Sequence, residues 1–183
     1  MLEIATAVMG LIQSILIMFK RKENWIFYIA NIVMLTIFSF SVHLYGDVVE
    51  NSIYLVFGII GLVTWYSTKK ETNITRCTTK EYVIYSLLLS GIGIGLYFWL
   101  INTNDPSPFL DAITTGMGFT ATLMMAFKKI EAWIIWLIDD ILMAYIYFTL
   151  PDKAIWLMLL NLIWIFLAIG TYISWSKELK LNK

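Results

Sequence analysis

Long apolar stretches alternate with short polar segments along the whole chain. Seven stretches of about 18 to 22 residues are mostly apolar, which is the length that an α-helix needs to cross a hydrocarbon core of about 30 Å. The polar segments between them carry most of the charge. The pattern therefore predicts seven transmembrane helices. They are expected at Leu2–Phe19, Trp25–Leu44, Val48–Tyr66, Tyr82–Ile101, Phe109–Phe127, Ala132–Leu150 and Ala154–Trp175.

The composition favours a membrane protein. The chain is 60% hydrophobic and 14% charged, whereas soluble domains are about 45–50% apolar and about 25% charged. The seven stretches use most of the 183 residues, so we expect no separate soluble domain. The first stretch lacks a basic leading segment and a small-residue cleavage pattern, and is expected to be retained as a helix. The single cysteine, Cys77, lies in a polar loop and is expected to be a free thiol.

The basic residues predict the orientation of the chain. Twelve of the 13 lysines and arginines follow the first, third, fifth or seventh stretch, and only Lys153 lies on the other side. Cytoplasmic loops near helix ends carry the excess of such residues. We therefore expect a multi-pass protein of the cell (inner) membrane with its N-terminus outside and its C-terminus in the cytoplasm.

The sequence also contains an internal repeat. A shift of 108 residues aligns EIATAVMGLIQSILIMFKRKENWI, from Glu3, with DAITTGMGFTATLMMAFKKIEAWI, from Asp111, without a gap. A shift of 110 residues aligns the segment that begins at Asn51 with the one that begins at Asn161. We therefore divide the chain into a first three-helix repeat (1–67), a linker with the fourth helix (68–108), and a second three-helix repeat with a short tail (109–183). The two repeats have the same orientation, and transporters built from parallel repeats bind their solute between the repeats.

The sixth helix carries the most unusual residues. At 100° per residue, Trp133, Trp136 and Asp140 lie on one stripe of this helix. Acids inside a membrane usually face a cavity or a partner, and no predicted helix contains a basic residue. A cationic ring against a tryptophan face gains about 0.5–2 kcal/mol, so the stripe favours a positively charged aromatic solute. Polar and aromatic stripes of the second, third and seventh helices add Tyr28, Asn31, Asn51, Tyr54, Asn161 and Trp164.

Other interpretations of these residues stay open. Tryptophans near helix ends often anchor a protein at the membrane interface, and this role is favoured for four of them, whereas Trp136 and Trp164 lie deeper and are expected to line a pocket. Of Asp139 and Asp140, one is expected to be functional and the other structural. No phosphate-binding loop, metal-ligand spacing or nucleophile–base pair is present, so we expect no enzyme, no cofactor and no nucleic-acid partner. The four tryptophans for which the interfacial role is favoured are Trp25, Trp65, Trp133 and Trp175.

Several motifs resemble the PnuC family of transporters for nicotinamide riboside and related vitamin precursors. They are NWIFYIAN (Asn24–Asn31), HLYGDVVENSIY (His43–Tyr54), GLVTW (Gly61–Trp65), FLDAITT (Phe109–Thr115) and EAWIIWLIDD (Glu131–Asp140). The resemblance implies an all-α membrane fold of seven helices in a 3+1+3 arrangement similar to that of SWEET sugar transporters. It also implies facilitated diffusion of a phosphate-free precursor, a cytoplasmic kinase that traps the product, and a homotrimer. Matched motif by motif, it implies substrate-binding roles for Trp133, Trp136, Asp140, Asn31, Tyr28, Asn161 and Trp164.

Nicotinamide riboside is the favoured solute because its pyridinium is a cationic aromatic ring. Thiamine follows closely, because its thiazolium is also a cationic ring. A nucleoside or deoxynucleoside, a neutral sugar, and a non-transporting scaffold or receptor remain alternatives. A scaffold predicts that substitution of Asp140 or Trp136 changes folding rather than solute specificity.

Overall fold

The computed structural model describes residues 2–41, 45–67, 73–103, 107–149 and 155–181. Within these ranges the chain forms seven α-helices and one isolated β-bridge, between Thr75 and Lys129. The predicted seven-helix, all-α fold is confirmed. In chain order the helices are α1 (Leu2–Met18), α2 (Asn24–Ser41), α3 (Tyr45–Ser67), α4 (Thr79–Leu100), α5 (Pro108–Ala126), α6 (Ala132–Thr149) and α7 (Ile155–Leu181).

Three helices extend beyond their predicted apolar stretches by three residues or more. Helix α3 begins at Tyr45 rather than Val48. Helix α4 begins at Thr79 rather than Tyr82 because Thr78 and Glu81 form a capping box, in which each side chain accepts a hydrogen bond from the other residue's backbone N–H. Helix α7 continues past Trp175 to Leu181. Hydropathy marks where a helix leaves the apolar region, not where its hydrogen bonding stops. The predicted ends at Leu44, Leu150 and Ala154 lie outside the described residues.

The outer surface of the bundle suits a lipid environment. Helices α3 to α7 contain stretches long and apolar enough to cross a membrane, and the described parts of α1 and α2 supply shorter apolar stretches, Val8–Met18 and Asn24–Phe38. Large apolar side chains such as Leu87 and Phe166 are 68% and 74% exposed. In a bilayer these side chains face lipid tails.

Six of the helices close into a ring. Going around it, α1 packs on α2, α2 on α3, α3 on α5, α5 on α6, α6 on α7, and α7 on α1. Helix α4 packs on α5 alone among the described helices and stands outside the ring. Helices α1 to α3 belong to the first predicted repeat and α5 to α7 to the second. The repeats therefore meet at two places, the α3–α5 seam and the α1–α7 seam.

The loops after α1 and α5 have the same backbone conformation. Lys20 and Lys128, which the 108-residue shift aligns, have φ angles of 56° and 58°. A left-handed residue at this position ends a helix and turns the chain into the next one. We call the end of the bundle that carries these two loops the basic end, because Lys20, Arg21, Lys22, Lys128 and Lys129 lie there.

The segment before α4 is tied to the second repeat at the basic end. Residues 73–78, here called the strap, run beside Lys128–Glu131. The Thr75 N–H donates to the Lys128 carbonyl and the Ile130 N–H donates to the Thr75 carbonyl, both over 3.1 Å. The buried Glu131 carboxylate accepts the Cys77 N–H at 3.0 Å and the Tyr82 hydroxyl at 3.1 Å. The strap and α4 are therefore attached to α5 and α6.

Candidate functional site

A cavity of about 520 Å³ lies inside the ring. All six ring helices line it, and α4 contributes none of the described lining residues. Cavities of about 300–1,000 Å³ are typical of small-molecule sites. The ring is therefore built around a space large enough for a small solute.

All nine side chains that the sequence predicts as a binding site line this one cavity. Their spacing of three or four residues along each helix places them on inward faces. The structure brings them together, and their contact with a solute stays a prediction. The nine are Tyr28 and Asn31 on α2, Asn51 and Tyr54 on α3, Trp133, Trp136 and Asp140 on α6, and Asn161 and Trp164 on α7.

The two adjacent acids of α6 both line the cavity. Asp139 is 6% and Asp140 is 5% exposed. The sequence left open which of them faces inward, because they point about 100° apart on the helix. The cavity is wide enough at α6 to reach both. One carboxylate oxygen of Asp139, Oδ1, is buried and has no hydrogen-bond partner within the described chain, so it can accept a bond from a donor inside the cavity.

Two further acids, which the sequence analysis did not name as site residues, also line the cavity. They are Glu50, in the first turns of α3, and Asp111, in the first turn of α5. The signal was present, because Glu50 precedes Tyr54 by one turn, and Asp111 shares a helix face with Thr114 and Thr115, which also line the cavity. Four carboxylates thus surround the space. No lysine or arginine is among the described lining residues.

Four tryptophans form a continuous buried row across the basic end of the ring. The ring centroids of Trp25 and Trp65 lie 6.1 Å apart, those of Trp65 and Trp175 6.2 Å, and those of Trp175 and Trp133 5.3 Å. Their exposed fractions are between 0% and 8%. The favoured role as interfacial anchors is therefore wrong for these four. As their sequence positions indicate, the four tryptophans lie toward the basic end, but their side chains turn into the ring rather than toward lipid.

This tryptophan cluster links the two repeats. The Trp65 indole N–H donates to the Ala126 carbonyl at 3.1 Å across the α3–α5 seam. The Trp175 indole N–H donates to the Ile17 carbonyl at 3.2 Å across the α1–α7 seam. The two donors are counterparts in the internal repeat, and the two acceptors differ by one position, because the 108-residue shift aligns Ile17 with Met125. Of the four, only Trp133 lines the cavity, so the cluster lies between the cavity and the basic end.

Two glycines of α3 let aromatic side chains of α2 pack closely against that helix. A Cβ at Gly61 would overlap the indole of Trp25, and one at Gly58 would come within 2.9 Å of the Tyr28 ring. Trp25 therefore packs against α3 and does not line the cavity. The repeat places Ala168 and Thr171 at the corresponding positions of α7. There Trp133 and Trp136, the counterparts of Trp25 and Tyr28, both line the cavity.

Comparison with known proteins identifies the family. Residues 1–177 match the family model described as nicotinamide mononucleotide transporter. The chain belongs to this transporter family. It is thus a multi-pass membrane transporter rather than an enzyme, and the predicted family resemblance is confirmed.

Individual relatives agree with this assignment. The chain is similar to the nicotinamide riboside transporter PnuC of Neisseria mucosa, with 21% identity over 188 residues that cover 95% of this chain and 71% of the relative. It shares its fold with a crystal structure of the vitamin B3 transporter PnuC, with a TM-score of 0.78, 19% identity, and coverage of 100% of this chain and 83% of the other. The predicted seven-helix fold class agrees with that structure.

Proposed function

We propose that this transporter carries nicotinamide riboside into the cell by facilitated diffusion, binding it between the repeats in the central cavity. The observation that carries this proposal is the wall of α6. Trp133, Trp136, Asp139 and Asp140 line one cavity whose described lining has no basic residue. Aromatic faces attract a cationic ring, and a carboxylate in a low-dielectric site strengthens that attraction.

The same wall favours the riboside over its phosphate ester. Sites for phosphate groups are usually built from arginine, lysine or backbone N–H groups, whereas the described lining of this cavity holds the carboxylates of Glu50, Asp111, Asp139 and Asp140. A phosphate would be repelled there. This repulsion also gives trapping a physical basis, because a product phosphorylated by a cytoplasmic kinase no longer fits the cavity that admitted it.

Transport requires the cavity to open at the end where the tryptophan cluster closes it. The excess of basic residues assigns the basic end to the cytoplasm, with the N-terminus outside. Release into the cell then requires the two seams to part at Trp65 and Trp175, as expected for parallel repeats that move against each other. A homotrimer, which the family resemblance implies, belongs to the same proposal and is tested by light scattering in detergent.

Thiamine is the second candidate. Its thiazolium ring is also an aromatic cation, so the same tryptophans and carboxylates favour it. Nucleosides, which are neutral, would gain less from the four acids, and a scaffold would need no cavity of this composition.

Binding calorimetry on the purified protein tests these assignments. Nicotinamide riboside, thiamine, a nucleoside and nicotinamide mononucleotide are titrated into wild type, Asp140→Asn, and the control Glu23→Gln, whose carboxylate pairs with Arg21 at the exposed surface. We expect wild type to bind the riboside and Asp140→Asn to bind it about tenfold or more weakly. Glu23→Gln should bind the riboside as wild type does. The mononucleotide should not bind. If only thiamine binds tightly, thiamine rather than nicotinamide riboside is the solute. Tight binding of the mononucleotide would contradict the electrostatic argument, and no binding of any solute would support the scaffold.

A further inference from the structure

The hydroxyl of Tyr54 lies in a notch on α5 that exists because residue 118 is glycine. A Cβ built at Gly118 would overlap the Tyr54 hydroxyl oxygen and would lie 3.6 Å from its Cζ and 3.7 Å from Cη2 of Trp136. Tyr54 and Trp136 line the cavity, whereas Gly118 lies behind them and does not. The glycine therefore leaves room for the Tyr54 hydroxyl without lining the cavity itself, and Trp136 lies at ordinary contact distance from the same position.

The rest of the Tyr54 side chain is held in place. Its ring packs edge-on against Phe119, with centroids 4.8 Å apart and planes at 67°, and Phe119 packs in turn against Phe57 at 6.0 Å. With the ring fixed from this side, the position of the hydroxyl depends on the space at Gly118. A methyl group there would displace the phenol. Phe119 packs against the ring, and the open space that Tyr54 borders is the cavity.

The internal repeat provides a comparison. Gly10 is the counterpart of Gly118 under the 108-residue shift, and a Cβ at Gly10 would meet only the Asn31 Nδ2 at 3.5 Å, an ordinary contact. The two glycines therefore differ in function although they share a sequence position. Only the one in the second repeat is sterically required.

We infer that Gly118 is a positioning residue that sets the width of the cavity between Tyr54 and Trp136, and with it the size of the aromatic solute that fits. This inference rests on the proposed function for the identity of the solute, but the contact between Gly118 and Tyr54 does not. Tyr54 contributes its ring face to the cavity and keeps its hydroxyl against α5. Alanine at position 118 narrows the site by displacing that phenol.

A double-mutant cycle tests the inference, with Gly118→Ala, Tyr54→Phe and the double variant. Gly95→Ala on α4 is the control, because nothing lies within 4 Å of its Cβ position and it does not line the cavity. Calorimetry with nicotinamide riboside is expected to show about tenfold weaker binding for Gly118→Ala, since adding a methyl group to a packed site has an effect of that order. Gly95→Ala is expected to stay within about threefold of wild type. Tyr54→Phe changes a side chain that lines the cavity, so its own affinity is the reference for the double variant. The double variant is expected to match Tyr54→Phe, because the overlapping oxygen is gone.

Each other result overturns the inference. An equal loss for Gly118→Ala with and without the Tyr54 hydroxyl would mean that the glycine acts through another contact. Loss of binding in Tyr54→Phe would place the hydroxyl on the solute rather than in the notch, and an unchanged Gly118→Ala would show that the notch is not limiting.

A second readout separates this inference from the proposed function. The apparent melting temperatures of wild type, Gly118→Ala, Tyr54→Phe and the double variant are measured without solute. They form a cycle that does not depend on what is transported. We expect Gly118→Ala to lower the melting temperature more in wild type than in the Tyr54→Phe background. If wild type binds thiamine or a nucleoside instead of the riboside, the proposed solute fails, and the binding cycle is run with the solute that binds.

Discussion

Trp65 and Trp175 are counterparts in the two repeats, and their rings meet in the middle of the bundle with centroids 6.2 Å apart and planes tilted by 44°. Each donates its indole N–H to a backbone carbonyl of the opposite repeat. The pair therefore joins the two predicted repeats and bonds across both seams from one place.

Replacing either of these tryptophans by phenylalanine removes a hydrogen bond between the repeats. We expect Trp65→Phe and Trp175→Phe to destabilise the protein by about 1 kcal/mol more than Trp25→Phe. Trp25 is the matched control, because it is equally buried and its Nε1 has no hydrogen-bond partner within the described chain. Thermal unfolding in detergent measures the difference. Equal losses for all three would show that ring volume alone matters.

Gly61 is expected to tolerate no side chain. Gly61→Ala places a methyl group inside the indole of Trp25, and overpacking of this kind costs about 1–3 kcal/mol or more. Gly95→Ala is the control, because nothing lies within 4 Å of its Cβ position, and alanine in a helix interior gains about 0.5–1 kcal/mol over glycine. The two apparent melting temperatures should move in opposite directions. A stable Gly61→Ala would contradict the packing of Trp25 against α3.

Glu131 is expected to matter for stability, unlike its repeat counterpart. Glu131→Ala leaves the buried Cys77 N–H without its acceptor, which costs about 1–3 kcal/mol. Glu23→Ala should have little effect, because Glu23 pairs with Arg21 at the exposed surface. Thermal unfolding of Glu131→Ala and Glu23→Ala measures the difference in their stabilities. Similar stabilities would mean that the strap is not anchored by this carboxylate.

Cys77 is expected to react slowly with alkylating reagents in the folded protein. Burial, reinforced by the Glu131 carboxylate, raises the pKa of its thiol to about 12. The thiolate is the reactive form, so at pH 8 the side chain stays protonated and its reactivity rises only as the pH approaches that value. Asn73→Cys in a Cys77→Ser background is the control, because residue 73 is exposed in the same strap. Iodoacetamide labelling at pH 8 should be much faster for the control, and equal rates would contradict the burial of Cys77.

The helices were predictable because the thickness of a bilayer fixes how long an apolar stretch must be. The exceptions have causes other than hydropathy. The start of α4 depends on a capping box of Thr78 and Glu81, and the end of α7 depends on contacts beyond the apolar stretch. There the Ile74 N–H donates to Glu178 at 3.5 Å, and Lys20 pairs with the same carboxylate. Such contacts join residues more than 100 positions apart, so no local pattern contains them.

The inward faces were partly predictable. Residues on the α6 stripe are unusual enough in a membrane to reveal that face, and all of them line the cavity. Glu50 and Asp111 were not predicted, because acids near helix starts are common and do not by themselves indicate a site. The row from Trp25 to Trp133 looked like a set of lipid anchors because depth along a helix can be read from sequence, whereas the neighbour that covers a side chain cannot.

The strap makes the two halves of the molecule unequal in mass. Since residues 73–78 are hydrogen-bonded to the loop after α5, and α4 packs on α5, the second half consists of four helices and the first of three. If the halves rock against each other, the first half meets less drag from the surrounding lipid and is expected to move further. The sequence repeat is nearly symmetric, but the two halves that it forms are not.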